Sequence, residues 1–344
     1  MSKNIIIRCR ANNSTGFGHL VRSRVLGKIL LALDYKVIFL GPSKKYMEES
    51  DNIFFWKWIE KEEWGNSIDE AKYHIELANK YNVEYIIMDD YRSDYEHQLL
   101  LRKAKLKVLQ QYDASKSQKF AAQLVVNGSP YEKRALYQDK LYRDDIITLH
   151  GPKYAVLRAE FQDDTLKKVQ KKNKILVTFG GGDDCGAIEY TINELVDSLP
   201  SKWEIAIVIS SFHPNIDNIT KIIQKNKYTN ITLLVNPSNM PLVIAECKIA
   251  ILSGGTTTFE AAYLGVVGIL MPIAKNQYNQ GIGWSELGAM IYLKPFSKIK
   301  EGELKQSLLE LVLNEKKINN MANIGRAYVD GLGAQRLIRN LLSI

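Results

Sequence analysis

Short apolar runs alternate along this chain with longer amphipathic stretches. The apolar runs predict strands at residues 4–9, 36–40, 85–88, 107–109 and 124–126. Between them, apolar positions three and four apart predict helices over 20–33, 68–80 and 96–105. Short hydrophobic strands separated by helices predict a parallel sheet covered on both faces. This first half ends near Gly151-Pro152, and the polar, lysine-rich residues 163–173 read as a linker. The alternation then restarts, with strands at 175–179, 204–209, 231–234, 248–252 and 267–271. Helical stretches separate these strands: one ends by Leu199, two cover 218–227 and 240–245, and one starts at Thr257. The fold class is therefore α/β, with two doubly wound, Rossmann-like parallel-sheet domains facing a cleft, residues 1–162 and 163–344. A last helix, about residues 333–343, fits on either domain, including back on the first.

Composition adds limits. A length of 344 residues suits two domains, and 46% hydrophobic with 24% charged residues is ordinary globular usage. The net charge is +8 and the pI about 9.1, which fits either a lysine-coated surface or weak peripheral attraction to an anionic membrane. The basic residues are scattered, densest at Lys167-Lys168 and Lys171-Lys172, and form no nucleic-acid module, so nucleic acid is not an expected partner. Cys9, Cys185 and Cys247 are few, distant and odd in number, which argues against a disulfide framework or a zinc site. A cytoplasmic setting follows, supported by the lack of a signal peptide or an apolar run near the ~18 residues of a membrane span. No metal, cofactor or obligate protein partner is expected.

Candidate chemistry collects where strands end, which is where open α/β sheets bind ligands. Ser14-Thr15-Gly16-Phe17-Gly18-His19 follows the first strand and opens the first helix. Its glycines permit close approach, and the helix start offers free N–H groups to an anion. His19 at that start reads either as a general base or as a turn-filling residue. Gly180-Gly181-Gly182-Asp183-Asp184 follows strand 175–179 and reads as a phosphate or sugar cradle, or as a plain turn. Ser253-Gly254-Gly255-Thr256-Thr257-Thr258-Phe259-Glu260 follows strand 248–252 and opens a helix. Its hydroxyls suit a phosphate, and Glu260 suits ribose hydroxyls or simply complements the helix dipole. No lysine follows the glycines, so this is not a Walker A loop. Asn276-Gln277-Tyr278-Asn279-Gln280-Gly281 offers amides for sugar hydroxyls or a base edge, or is a polar surface loop. Met88-Asp89-Asp90-Tyr91-Arg92-Ser93-Asp94 ends a buried strand, with Asp94 also suited to cap the next helix; Asp113 is placed similarly after 107–109. There is no G-x-S-x-G, and His19, His74, His97, His150 and His213 show no metal-ligand spacing.

Taken together these segments resemble a known family. Residues 7–23 (IRCRANNSTGFGHLVRS), 88–91, 151–161 (GPKYAVLRAEF), 175–183 (ILVTFGGGD), 253–260, 276–277 and 329–334 (VDGLGA) are similar, in order, to the UDP-2,4-diacetamido-2,4,6-trideoxy-β-L-altropyranose hydrolases of pseudaminic acid biosynthesis. That family is related to spore-coat polysaccharide proteins and to GT-B glycosyltransferases such as the lipid II-forming N-acetylglucosaminyltransferase. The resemblance implies a GT-B-like fold and metal-independent attack of water on the anomeric carbon of a UDP-sugar. It implies that His19 activates the water, Gly18 lets the sugar approach and Tyr91 faces the substrate. On the donor side it implies diphosphate binding by Thr257 and Thr258 with the preceding Gly255 and Thr256, while Gly181 and Gly182 stand as the phosphate or sugar cradle read from their turn. Glu260 would hold the ribose, and Asn276 and Gln277 the sugar or uridine. The family usually has Asp where Arg10 stands, a small hydroxyl residue at Phe17 and His at Asp90. These departures lie on the expected acceptor side, where Arg10 would meet an acidic sugar or acceptor. The resemblance makes hydrolysis the leading expectation, and the departures make nucleotide-sugar binding the safer part of it. Transfer to a glycan or lipid acceptor is the alternative, and non-catalytic binding of the nucleotide sugar is a third.

Overall fold

In the computed structural model, strand β1 (Lys3–Cys9) is an inner strand of a seven-stranded, all-parallel sheet. The structure describes residues 3–12, 17–112, 118–131, 145–195, 198–225 and 230–344. Around β1 lie β2 (Tyr35–Gly41), β3 (Phe55–Glu60), β4 (Val83–Asp89), β5 (Lys107–Gln111), β6 (Leu124–Asn127) and β7 (Ile147–His150), in the order β3-β2-β1-β4-β5-β6-β7. Successive strand residues point to opposite faces. Ile5, Ile7 and Cys9 therefore join one core and Ile6 joins the other. The first core is covered by α1 (Gly18–Ala32) with the small α2 (Asp51–Phe54), the second by α3 (Ser67–Tyr81) and α4 (Tyr95–Lys103). The edge strands β3 and β7 were not expected from the apolar runs. Edge strands bury less, and Phe55–Glu60 interleaves lysine and glutamate with its aromatics.

The second sheet comprises β8 (Lys172–Thr178), β9 (Glu204–Ile209), β10 (Ile231–Val235), β11 (Cys247–Leu252), β12 (Val267–Leu270) and β13 (Ile291–Tyr292). Their order is β10-β9-β8-β11-β12-β13, again all parallel. Its helices are α5 (Ala187–Leu195), α6 (Ile216–Lys225), α7 (Met240–Ala245), α8 (Thr257–Tyr263), α9 (Tyr278–Glu286), α10 (Glu303–Val312) and α11 (Glu315–Tyr328).

The chain divides into two compact units, Met1–Ala159 with Gly331–Ile344, and Glu160–Asp330. The segment read as a linker over 163–173 is built into the second unit. Leu166 is buried, β8 already begins at Lys172, and Lys172 and Lys174 pair with Glu246. The last helix, α12 (Gly333–Leu342), lies on the first unit, with Ala334, Leu337, Ile338 and Leu341 in the same core as α1. Only glycine fits at its start, because a Cβ on Gly333 would stand 2.1 Å from the Ala155 carbonyl oxygen. Among the described residues no helix is long and apolar enough to cross a membrane.

Candidate active site

In the first sheet the chain leaves β1, builds β2 and β3 outward, and returns to β4 on the other side of β1. The connections after β1 and β4 thus diverge, and a crevice opens at the carboxyl ends of these two strands. Cys9 and Asp89 are register partners at that end. Sheet parity then separates two consecutive acids. Asp89 follows Ile87 onto the α1 face, while Asp90 turns to the opposite face.

His19 is the second residue of α1, whose start has no side-chain cap and no acid in its first turn. Its Nδ1 lies 2.7 Å from Asp89 Oδ1. A carboxylate only accepts, so Nδ1 carries the hydrogen and Nε2 is left as the open nitrogen of the neutral ring. Arg22, one turn further along α1, donates from Nε to Asp89 Oδ2 at 2.5 Å and from Nη2 to Oδ1. Arg22 Nη2 also lies 2.9 Å from His19 Nδ1; with both groups carrying hydrogen, the two converge on one shared carboxylate. Burial by itself would raise the Asp89 carboxyl. Arg22 and His19 outweigh it and hold the group far below the ordinary carboxylate range. Ser23 Oγ donates to the His19 carbonyl at 2.8 Å, and the Tyr91 ring stands edge-on to the imidazole at 5.0 Å. These contacts fix the ring from several sides.

Asp90 has a different task. Arg92 donates to it from Nε at 2.9 Å and Nη2 at 2.7 Å, and Arg8 from Nε at 3.2 Å. Both guanidinium groups lie over the Trp64 ring, and Arg8 and Asp90 are fully buried. Expected on the acceptor side, Asp90 is instead locked in an ion cluster on the far face of the sheet. Asp94 caps α4 by accepting from His97 N at 3.0 Å, so the capping reading holds for it. His74 and His97 are also buried there, where desolvation pushes them down to about 4 and about 3. Arg10 is half-buried beyond β1, and its amide donates to the Asp89 carbonyl at 3.2 Å. Phe17 packs against Tyr46 at 4.8 Å, forming an apolar flank at the start of α1. Gly18 is exposed, and a Cβ there would meet nothing within 4 Å. Ser14, Thr15 and Gly16 of the opening loop, and Asp113, lie outside the described residues.

The second sheet repeats the topology. The chain leaves β8 for β9 and β10 and returns to β11, so the loops after β8 and β11 flank its own switch point. Gly180 adopts φ +105°; a Cβ on Gly181 would lie in ordinary contact with Ser210, 3.8 Å from its Cβ, and only Gly182 follows with open space above it. Asp184 caps α5, accepting from Ile188 N at 2.5 Å and Gly186 N at 3.2 Å, with His213 Nε2 3.2 Å away. After β11, Gly254 has φ +107° and lies against Gln277, where a Cβ would come within 3.2 Å of the Gln277 carbonyl oxygen. Thr256 is exposed and Thr257 half-buried at the open end of this turn, with Gly255 beside them.

Thr258 does not present its hydroxyl to a ligand. It is fully buried, donates to the Gly255 carbonyl at 2.8 Å, and accepts from Gln280 Nε2 at 2.8 Å and Trp284 Nε1 at 3.0 Å. Gln277 likewise uses its amide oxygen internally, accepting from Ile273 N at 3.0 Å and Ala274 N at 3.3 Å, while Asn276 is exposed. Glu260 is buried, 3% exposed. The contributions of Gln280 and Trp284 were missed. The role of Arg22 was missed too, although its spacing of three from His19 on a helix puts the two on one face. Among the described residues no group of three His, Cys, Asp or Glu side chains is placed to hold a metal ion.

The UDP-2,4-diacetamido-2,4,6-trideoxy-beta-L-altropyranose hydrolase of Campylobacter jejuni is 24% identical over 298 residues, 84% of this chain and 99% of that protein. The spore coat polysaccharide biosynthesis protein SpsG of Bacillus subtilis is 24% identical over 193 residues, 54% of this chain and 56% of that protein. Among solved structures, MurG of Acinetobacter baumannii aligns over 100% of both chains with a TM-score of 0.71 and 14% identity, which shows the fold alone. The fold is GT-B-like, with two parallel-sheet α/β domains. Residues 175–331, within the second unit except for the last, match the glycosyltransferase family 28 C-terminal domain.

Proposed function

We propose that this chain is a nucleotide-sugar enzyme that breaks the bond between the anomeric carbon and the diphosphate of its substrate, with water as the acceptor. The substrate is a UDP-linked 2,4-diacetamido-2,4,6-trideoxy hexose, and the products are UDP and the free sugar, for a pseudaminic-type acid or a surface polysaccharide. The observation that carries this reading is the His19–Asp89–Arg22 arrangement at the first switch point, in a chain related over 84% of its length to such a hydrolase.

In this reading His19 Nε2 takes a proton from water as the water oxygen bonds to the anomeric carbon. The bond from that carbon to the diphosphate oxygen breaks, and UDP leaves with the electron pair. Asp89 holds the imidazole in the tautomer that leaves Nε2 basic and stabilises the imidazolium that forms, the job a buried carboxylate has beside a catalytic histidine. Arg22 keeps Asp89 ionised. Gly18 admits the sugar, Tyr91 supports it, and Arg10 faces any acidic substituent. Gly181, Gly182, Gly255, Thr256 and Thr257 bind the diphosphate through backbone amides and hydroxyls. Glu260 takes the ribose, and Asn276 and the free amide nitrogen of Gln277 take the sugar or base. Thr258 supports this loop from beneath.

The family 28 domain and the likeness to MurG favour a second reading, transfer of the sugar to a glycan or lipid acceptor. Release of UDP from candidate UDP-diacetamido sugars, followed with no acceptor present, decides between them. Continuous release with equimolar free sugar supports hydrolysis. Release that begins only when an acceptor is added supports transfer and ends the hydrolase reading.

A further inference from the structure

The end of the first unit opposite His19 carries a second surface with chemistry of its own. At the amino ends of β2, β3 and β4, Trp56 is 47% exposed and stands edge-on to Tyr81 at 5.7 Å. Three lysines ring this pair. Lys36 Nζ lies 5.3 Å from the Trp56 centroid, Lys57 Nζ lies 4.8 Å from Trp56 and 5.4 Å from Tyr81, and Lys80 Nζ lies 5.5 Å from Tyr81. Two large apolar side chains flank the cluster in sequence, Ile53 at 70% and Leu33 at 47% exposure. Beside it a groove of about 610 Å³ is walled by Leu33, Tyr35, Val83, Tyr85 and Leu342, with Lys3 and Asn4 on its rim. Asn4 Oδ1 is buried there without a hydrogen-bond partner. The acids near this cluster include Asp34 and Glu76, both exposed, and Glu84, which is already paired with Lys107 at 2.7 Å.

We propose that this pole docks the protein on an anionic phospholipid surface. Two observations choose that occupant. The first is charge: Lys3, Lys36, Lys57, Lys80 and Lys107 outnumber Asp34, Glu76 and Glu84 at this pole, within a chain of net charge +8. The second is the amphipathic pairing. Indole and phenol rings placed among ammonium groups suit the headgroup level of a bilayer, where one end of a ring is apolar and the other wet. Each such lysine near an anionic leaflet contributes about 1 kcal/mol of attraction, which falls as salt screens it. The groove then takes one headgroup, with Lys3 toward its phosphate and Asn4 Oδ1 toward a headgroup hydroxyl. The surface lies at the amino ends of the strands and the His19 crevice at their carboxyl ends, so docking leaves the crevice uncovered.

Co-sedimentation of the full chain with lipid vesicles tests this. Vesicles of phosphatidylcholine alone should retain little protein. Vesicles containing phosphatidylglycerol should retain most of it, and less as salt is raised. Lys36→Glu with Lys57→Glu should weaken binding by about tenfold or more, and Trp56→Ser should weaken it with the net charge unchanged. Lys305→Glu with Lys316→Glu, two exposed positions of the second unit, changes the net charge equally and should leave most binding intact. Equal binding to both vesicle types, binding to neither, or equal losses in the two double variants would overturn the proposal.

Discussion

The two sheets solve the same topological problem with different materials. In both, the chain reverses direction beside its central strand, and two loops diverge from the carboxyl ends of neighbouring strands. At the first switch point the polar atoms belong to long charged side chains, His19, Arg22 and Asp89, which hold one another. At the second, Asp184 is spent on capping α5 and Glu260 is buried, the other polar atoms belong to glycines, hydroxyls and amides, and Thr258 and Gln277 are consumed in shaping the loop. A base must be held rigidly with one atom left free, which takes side chains with several anchors. A diphosphate is recognised by many weak donors, which backbone amides in a small-residue turn supply. On the proposed reading, the difference assigns chemistry to the first switch point and substrate retention to the second.

Substitutions can break or sharpen that division. The largest effect is expected from His19→Ala, which should lower kcat about 10²-fold or more while KM for the nucleotide sugar changes little. A matching loss in KM alone, read from steady-state UDP release, would move His19 to the binding side. Next, Asp89→Asn and Asp90→Asn separate two adjacent acids. Asp89→Asn should cut kcat by about 10- to 10²-fold, the usual consequence of losing the group that orients a working histidine. Asp90→Asn should leave kcat near wild type yet destabilise the protein by several kcal/mol, about the cost of breaking a buried ion pair; chemical denaturation and turnover together read both.

Asp89 also predicts a pH dependence. Its folded-state carboxyl is depressed, so its contribution to stability is full above the ordinary aspartate value of about 3.9 and is lost as pH falls through the depressed folded value. The unfolding free-energy gap between wild type and Asp89→Asn should therefore be flat through neutral pH and close below about pH 4. A gap that instead widened on acidification would contradict the ion-paired state of Asp89. On the donor side Thr258→Val removes the acceptor shared by Gln280 and Trp284, and should cost about 1–3 kcal/mol in thermal or denaturant unfolding. The smallest expected change in stability is for Gly182→Ala, whose Cβ meets nothing within 4 Å. It should stay within about 0.5 kcal/mol of wild type, and a raised KM in that stable variant would show that ligand approaches the loop closely.

Much of this could be read from the chain alone. The central strands of both sheets are continuous apolar runs because both faces are covered, and that pattern survives in the sequence. The edges β3, β7 and β13 do not show it, since an edge strand is short or half-polar. His19 stood out because a glycine-flanked histidine at a strand–helix junction is unusual. Its partners did not. Asp89 lies 70 residues away and reaches His19 only through the pairing of β1 with β4, while its neighbour Asp90 looks the same in sequence and faces the other way. Thr258 was misjudged for a related reason. A hydroxyl at a helix start has one signature whether it binds a phosphate or its own loop, and only the indole of Trp284 and the amide of Gln280 decide.

The central claim is that water, activated by His19, attacks the anomeric carbon. Turnover of a UDP-diacetamido sugar in water enriched in heavy oxygen tests it most directly, with mass spectrometry of both products. The account predicts one heavy oxygen on the anomeric hydroxyl of the free sugar, none in UDP, and label incorporation slowed at least as much as turnover in His19→Ala. Heavy oxygen in the β-phosphate of UDP, or unchanged incorporation in His19→Ala, would contradict it.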